Sequence, residues 1–113
     1  MTVCACSYDE SIELCNVSVQ LVYPEGSIAP YAGARVEMKS NTNAQVFVDS
    51  TDATGTARFM LPAGLYEARS SDTHITYDWR YIFNGTRSMV VVSPDSANII
   101  KVELTMSRKR IVH

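Results

Sequence analysis

The chain has 113 residues, a formal net charge of −2 and a hydrophobic content of 46%. This length suits one domain, and this composition is typical of a globular chain. A net negative charge argues against nucleic-acid binding, because such proteins use a basic face to displace counterions from phosphates.

The cysteines are concentrated at the N-terminus, at Cys4, Cys6 and Cys15. An odd number at one end does not form a disulfide framework for a domain. A zinc site is also not expected, because the only histidines, His74 and His113, lie far from the cysteines in sequence. We therefore predict that the protein uses no metal and no other cofactor.

Residues 1–15 are predicted to be the remnant of a lipoprotein signal and a leader. Val3-Cys4-Ala5-Cys6 resembles the end of a bacterial lipoprotein signal, which implies lipidation of Cys6. The following Ser7-Tyr8-Asp9-Glu10 resembles the acidic surface-export signal of Bacteroidetes lipoproteins. Only two residues precede Val3, which is too few for the charged and apolar parts of a signal peptide. The alternative is that Cys4 and Cys6 are ordinary leader residues.

Period-two alternation of apolar and polar residues predicts five short strands between residues 16 and 69. Two tight turns are predicted among them, at Asp52-Ala53-Thr54-Gly55 and at Pro62-Ala63-Gly64. The alternating apolar residues are Val17, Val19, Leu21, Ala34, Val36, Met38, Val46, Val48, Ala57, Phe59 and Leu61. Cys15 is interpreted as a thiol at the start of the first strand.

Asn84-Gly85 predicts a hairpin turn between Tyr77–Phe83 and Thr86–Val92, because this dipeptide suits a type I′ turn. The resulting register pairs each aromatic residue of the first arm with a residue of the second. One face of this hairpin then carries four aromatic side chains: Tyr77, Trp79, Tyr81 and Phe83.

A last strand is predicted from the alternation of Ile100, Val102, Leu104 and Met106. Residues 107–113, with the cluster Arg108-Lys109-Arg110, are predicted to be a solvated basic tail or the start of a further region. Together the elements predict an all-β domain over residues 16–106. It is an antiparallel two-sheet sandwich with seven to eight strands.

The middle of the chain resembles a known domain family. Gly33-Ala34-Arg35-Val36, Thr51-Asp52-Ala53-Thr54-Gly55 and Pro62-Ala63-Gly64-Leu65-Tyr66 follow the pattern of carboxypeptidase regulatory-like and collagen-adhesin B-type domains. The resemblance extends over about residues 16–106. It implies a prealbumin-like (transthyretin-like) sandwich, and members commonly serve as non-enzymatic accessory or stalk modules of secreted and surface proteins.

Three groups of side chains are candidates for a binding, catalytic or metal site. The row Tyr77, Trp79, Tyr81 and Phe83 could form a glycan-binding platform, although core packing against Val90 and Val92 is favoured. His74 with a neighbouring serine and Asp78 lacks the motifs that frame a catalytic triad, so it is interpreted as an exposed loop histidine. Asp49, Asp52, Glu67 and Asp72 suggest a calcium site, but Asp49-x-x-Asp52 with Gly55 only partly resembles a calcium-binding loop, and a turn explains Asp52 without a metal.

The sequence therefore predicts a non-catalytic accessory or structural module of a cell-envelope lipoprotein. Its expected partner is the outer membrane, reached through a lipid anchor, with exposure at the cell surface implied by the acidic run. The alternative is a module that binds a glycan or a protein through the aromatic hairpin 77–92. An exposed sheet edge that accepts a further strand is a second way to bind a protein.

Overall fold

A computed structural model describes residues 14–25 and 30–113. Within these ranges the chain forms eight β-strands and no helix, so it contains no helix long and apolar enough to cross a membrane. The strands are β1 Leu14–Val22, β2 Arg35–Ser40, β3 Val46–Ser50, β4 Thr56–Pro62, β5 Gly64–Ile75, β6 Trp79–Val92, β7 Ile99–Glu103 and β8 Thr105–Arg110. The predicted all-β class is confirmed.

The strands form two sheets that pack face to face, as predicted for a sandwich. One sheet has three strands in the order β4-β1-β7, and the other has five in the order β3-β2-β5-β6-β8. Every pairing is antiparallel except that between β1 and β7, which is parallel.

The core lies between the sheets and is filled by alternate residues of each strand, because successive side chains of a strand point to opposite faces. In β1, Val17, Val19 and Leu21 are buried as the alternation predicted. The other strands contribute Val36, Met38, Ala57, Phe59, Leu61, Tyr66, Ala68, Phe83, Val90, Val92, Ile100 and Val102. Ala34, just before β2, and Leu104, just after β7, are also in the core.

Strand β3 turns Phe47 toward the core, whereas the sequence pattern predicted that Val46 and Val48 would face it. Val46 and Val48 are 46% and 47% exposed, whereas Phe47 packs against the core. The register with β2 explains this, because Phe47 lies opposite the fully buried Met38. Directly opposed residues share one face of a sheet, so Phe47 turns inward and its neighbours turn outward.

The predicted turn at Asp52–Gly55 is confirmed. The Asp52 carboxylate accepts hydrogen bonds from the backbone N–H groups of Thr54 and Thr56, at 2.9 and 3.2 Å. Gly55 has a φ of 79°, a region that glycine enters without steric penalty. Its N–H donates to the Asp52 carbonyl at 3.0 Å and closes the turn between β3 and β4.

The predicted hairpin over residues 77–92 is wrong, because β6 runs without interruption from Trp79 to Val92. The chain instead reverses between β5 and β6, where the Thr76 N–H donates to the Trp79 carbonyl at 2.8 Å. Phe83 therefore lies opposite Asp72 of β5 and Met106 of β8 rather than opposite Thr86.

Gly85 serves close packing within β6 rather than a turn. A Cβ atom on Gly85 would stand 2.6 Å from the carbonyl oxygen of Glu103, and its φ is not positive. Only glycine allows the backbones of β6 and of the end of β7 to approach this closely.

A β-bulge lets both halves of β6 face the core. The pairing of β5 with β6 shifts between Tyr66 and Ala68, and Met89 on the opposing strand has a φ of 60°. An extra residue in one strand reverses the inside–outside alternation. As a result, odd-numbered Phe83 and even-numbered Val90 are both buried.

The last predicted strand is divided between the two sheets. It breaks at Leu104, whose N–H donates to the Val22 carbonyl at 2.9 Å. Before this point β7 pairs with β1, and after it β8 pairs with β6. Arg108–Arg110, predicted as a solvated tail, are therefore residues of a β-strand, which continues past the predicted domain end at residue 106.

The ends of three strands extend the larger sheet. Strand β5 pairs with β2 only as far as Ser71, and β8 covers only Trp79–Asn84 of β6. Residues 72–75 of β5, 79–84 of β6 and 105–110 of β8 thus form a three-stranded ribbon, here called the ribbon.

Candidate functional site

The predicted aromatic row runs along the ribbon from the core to solvent. Trp79, Tyr81 and Phe83 alternate on one face of β6, and Tyr77 precedes the strand. Phe83 is only 1% exposed, Tyr81 and Trp79 are half-buried, and Tyr77 is 79% exposed. The row is therefore a core residue at one end and a surface feature at the other.

The inner end of the row is an aromatic cluster around Phe83. The rings of Tyr23 and Tyr31 lie 5.1 and 5.7 Å from the Phe83 ring, between centroids. The Tyr23 hydroxyl is buried without a hydrogen-bond partner among the described residues. Burial, followed by the nearby negative charge of Asp72, raises the pKa of Tyr23 above its usual range. This hydroxyl therefore stays protonated at neutral pH.

His74 is a half-buried strand residue, and its prediction as an exposed loop histidine is wrong. Its ring stacks on Tyr31 at 3.6 Å between centroids. Its Nε2 lies 2.8 Å from an Asp72 carboxylate oxygen. The side chain lies opposite Tyr81 in the sheet register and so belongs to the same face of the ribbon.

In the structure the carboxylate beside His74 belongs to Asp72, not to Asp78 as in the triad considered above. Asp78 lies beside the C-terminal residue His113, with its carboxylate 3.6 Å from Nε2. The Ser70 hydroxyl is buried and donates to the Arg35 carbonyl at 2.8 Å. Ser70, His74 and Asp78 thus engage three separate partners.

Trp79 lies beneath two arginine side chains of the neighbouring strand. The Arg108 Cζ atom is 4.5 Å from the centre of the Trp79 ring, and the Arg110 Cζ atom is 5.7 Å from it. The register explains both contacts, because Arg110 lies opposite Trp79 and Arg108 lies opposite Tyr81. A guanidinium ion over an indole ring is attracted by the negative face of the ring.

Neither arginine forms an ion pair with a carboxylate of the described residues. Both side chains are exposed, so their cationic groups remain in contact with solvent. Together with Trp79 and Tyr81 they form one surface, here called the aromatic–arginine face.

The two arginines of this face were not predicted, because the sequence pattern of residues 108–110 indicated a tail. One signal was available: residues 108 and 110 continue the two-residue alternation that ends at Met106.

The outer end of the ribbon contacts residues 111–113. Tyr77 stacks on His113 at 4.3 Å between ring centroids, with an angle of 17° between the planes. The Ile111 N–H donates to the Asp78 carbonyl at 2.8 Å. These contacts hold the turn between β5 and β6 against the residues that follow β8.

The acidic residues considered for calcium are engaged elsewhere. One Asp52 oxygen accepts the hydrogen bonds of its turn, and the other lies 2.8 Å from the Arg58 guanidinium. Asp49 accepts a hydrogen bond from the Ser50 N–H. Over the described ranges, no three His, Cys, Asp or Glu side chains are grouped to hold a metal ion.

A separate candidate surface is a groove of about 410 Å³ between the free edges of β6 and β7. Exposed apolar side chains border it, including Met89, Val91 and Ile99. The bulge at Met89 distorts the β6 edge, and Arg87 donates to the Lys101 carbonyl at 3.1 Å across the gap. Bulges and charged residues protect an edge from adding a further strand, so this groove is the weaker binding candidate.

No family model, curated protein or solved structure matches this chain. The resemblance to carboxypeptidase regulatory-like domains therefore stays a prediction from the motifs quoted above. The predicted lipidation site Cys6 and its acidic neighbours lie outside the described residues.

Proposed function

We propose that this chain is a non-catalytic accessory module of a cell-envelope lipoprotein, built on a prealbumin-like sandwich. The observation that carries this proposal is the use of its polar side chains to hold the fold. Asp52 organises a turn, Ser70 bonds the backbone of a neighbouring strand, and Asp72 pairs with His74.

The family motif supports the same proposal. Asp52 and Gly55 form the turn that precedes β4, and the Tyr66 hydroxyl donates to the Pro62 carbonyl at 2.7 Å. The residues that define the resemblance therefore have structural roles, which suits a domain whose task is to space or support other parts of a protein.

The membrane part of the proposal depends on Cys6 and is tested directly. The gene with its natural upstream sequence is expressed in a Bacteroidetes host and labelled with an alkyne fatty acid. We expect label and outer-membrane fractionation to be lost in Cys6→Ala and kept in Cys4→Ala, the matched control. Protease treatment of intact cells then tests exposure at the surface. Label that persists in Cys6→Ala would exclude Cys6 as the lipidated residue, and a wild-type protein without label would contradict the anchor.

A second candidate function is binding of a glycan or a protein by the aromatic–arginine face. The specific observation in its favour is that Trp79 and Tyr81 share one face of the ribbon with two arginines that form no ion pair with the described carboxylates. Aromatic rings and arginine are the residue types that most often anchor binding surfaces.

This second function is tested on the purified chain with an array of glycans. We expect Trp79→Ala and Tyr81→Ala each to abolish binding, whereas Val48→Ala, at an exposed position on the edge strand β3, leaves it unchanged. Binding that survives both aromatic substitutions would remove the aromatic–arginine face as the site.

A further inference from the structure

We propose that the aromatic–arginine face binds anionic glycans, with Arg108 and Arg110 pairing to the carboxylate or sulfate groups of the sugars. The proposal rests on the second function given above and names its ligand class. Tyr81 and the uncovered part of Trp79 would contact the sugar rings, while the two guanidinium groups select for negative charge.

Contact with the Trp79 ring prepares Arg108 for anion binding. A guanidinium group is planar and carries its N–H donors around its edge, in a fork that matches a carboxylate. When its face lies against an indole ring, the edge remains free for a ligand. The Arg108 Cζ atom lies 4.5 Å from the ring centre, which is close enough for this arrangement. Ordering the side chain before binding reduces the entropy lost on binding.

Arg108 and Arg110 place two guanidinium groups at a regular spacing along β8. They are two residues apart on β8 and on the same face, so their Cα atoms are separated by roughly 7 Å. Successive charged sugars of one chain can therefore contact successive guanidinium groups. The lack of an ion-pair partner among the described carboxylates leaves both groups available.

The same stacking disfavours a neutral glycan. A neutral sugar would use the open face of an aromatic ring, but the arginines cover part of the Trp79 ring. A neutral ligand would have to displace a cation from its favourable position over the ring, whereas an anionic ligand adds to it. Nucleic acid is disfavoured by the net charge of −2, because that charge opposes the long-range attraction of a polyanion.

The opposite face of the ribbon supplies a matched control. Arg80 and Lys109 lie opposite each other in the pairing of β6 with β8, and they alternate with the residues of the aromatic–arginine face. The double variants R108A/R110A and R80A/K109A remove the same charge from the same two-strand region. Only the first removes charge from the proposed site.

The experiment titrates the chain with four probes and follows the fluorescence of its single tryptophan, Trp79. The probes are tetragalacturonic acid, a sulfated chondroitin tetrasaccharide, neutral cellotetraose and oligo-dT. Calorimetry repeats each titration, and urea unfolding shows that each variant is folded. We expect saturable binding of an anionic glycan, a loss of about tenfold or more in R108A/R110A, and less than about twofold change in R80A/K109A.

Comparison of the probes identifies the ligand. Binding of the uronate alone assigns a carboxylate site, and equal binding of the sulfated sugar assigns a general anion site. Binding of cellotetraose that R108A/R110A does not weaken overturns the anionic preference but leaves a glycan-binding function standing. No binding of any glycan overturns both. Stronger binding of oligo-dT, or equal losses in the two double variants, overturns the proposal in favour of unspecific polyanion binding.

Discussion

Gly85 of β6 lies directly against the backbone of Glu103, at the point where the chain passes from the smaller sheet to the larger. A Cβ atom at this position would approach the Glu103 carbonyl oxygen to 2.6 Å and the Leu104 Cδ2 atom to 2.7 Å. Neither neighbour can move freely, because Leu104 is buried and its N–H is bonded to β1. The contact lies where β7 ends, one residue before β8 begins.

We therefore expect Gly85→Ala to destabilise the protein by about 1–3 kcal/mol, the usual range for overpacking. Gly64→Ala is the control, since a Cβ there would meet only the edge of the Tyr66 ring, at an ordinary 3.6 Å. Its stability should change by less than about 0.5 kcal/mol. Urea unfolding of both variants measures the difference, and equal stabilities would contradict the close approach at Gly85.

This glycine also shows why the sequence could not predict the ribbon. Asn-Gly between two apolar runs is a strong local signal for a hairpin, and nothing local distinguishes it from a glycine that makes room for a distant backbone. The partner, Glu103, lies 18 residues further along the chain. The prediction of a hairpin was wrong because the role of Gly85 depends on this long-range contact and not on its neighbours in sequence.

Other features were predictable because their causes are local. The buried residues of β1, β2 and β4 follow directly from alternation, and Asp52 with Gly55 carries its own turn chemistry. In contrast, the contact of Arg108 with the Trp79 ring depends on β8 joining the larger sheet after Leu104. A charge cluster near a chain end gives no sign of such a switch, so half of the candidate site was missed.

The two end residues of the aromatic row, Phe83 and Tyr77, should contribute very differently to the free energy of unfolding. Phe83 is buried in the core, and Phe83→Ala should destabilise the protein by about 3–5 kcal/mol. Tyr77 is 79% exposed, so Tyr77→Ala should change stability by less than about 0.5 kcal/mol. Denaturant midpoints give both values. Similar losses at the two positions would show that the row packs as a unit.

Asp52 should make stability depend on pH in the acid range. A hydrogen bond from the Thr54 hydroxyl, followed by the Arg58 guanidinium, holds the pKa of Asp52 well below its ordinary value of 3.8. A lowered pKa in the folded state means that the carboxylate stabilises the fold fully above the unfolded value. This contribution is lost as the pH falls from about 4 through the folded value.

Two substitutions separate the charge of Asp52 from its role in the turn. Asp52→Asn keeps an oxygen that can accept the turn's hydrogen bonds, and it should flatten the decline of the urea midpoint below about pH 4. Asp52→Ala should lower the midpoint at neutral pH as well, because the turn loses its acceptor. A wild-type acid profile in Asp52→Asn would assign the pH dependence to other groups.

Met89 stands in a backbone conformation that suits glycine better. Its φ is 60° and its side chain is 68% exposed, so it gains little from packing. Met89→Gly should stabilise the protein by about 0.5–1 kcal/mol by relieving this strain. Val91→Gly is the control, since Val91 is equally exposed at 68% but is not among the positive-φ residues. It should destabilise the strand by a similar amount, and thermal or urea unfolding distinguishes the two signs.

The stacking of Arg108 on Trp79 should be measurable as a coupling between the two residues. A cation–π contact at an exposed site contributes about 0.5–1 kcal/mol, so a double-mutant cycle with Trp79→Ala and Arg108→Ala should give a coupling in that range. Trp79 with Arg80 is the control pair, because neighbouring residues of a strand point to opposite faces. The coupling with Arg108 should persist in Arg108→Lys only in part, since lysine lacks the planar group. A coupling that is equal for Arg80 and Arg108 would mean that Trp79 responds to the net charge of the ribbon. The ordered guanidinium on which the proposed anion recognition depends would then be absent.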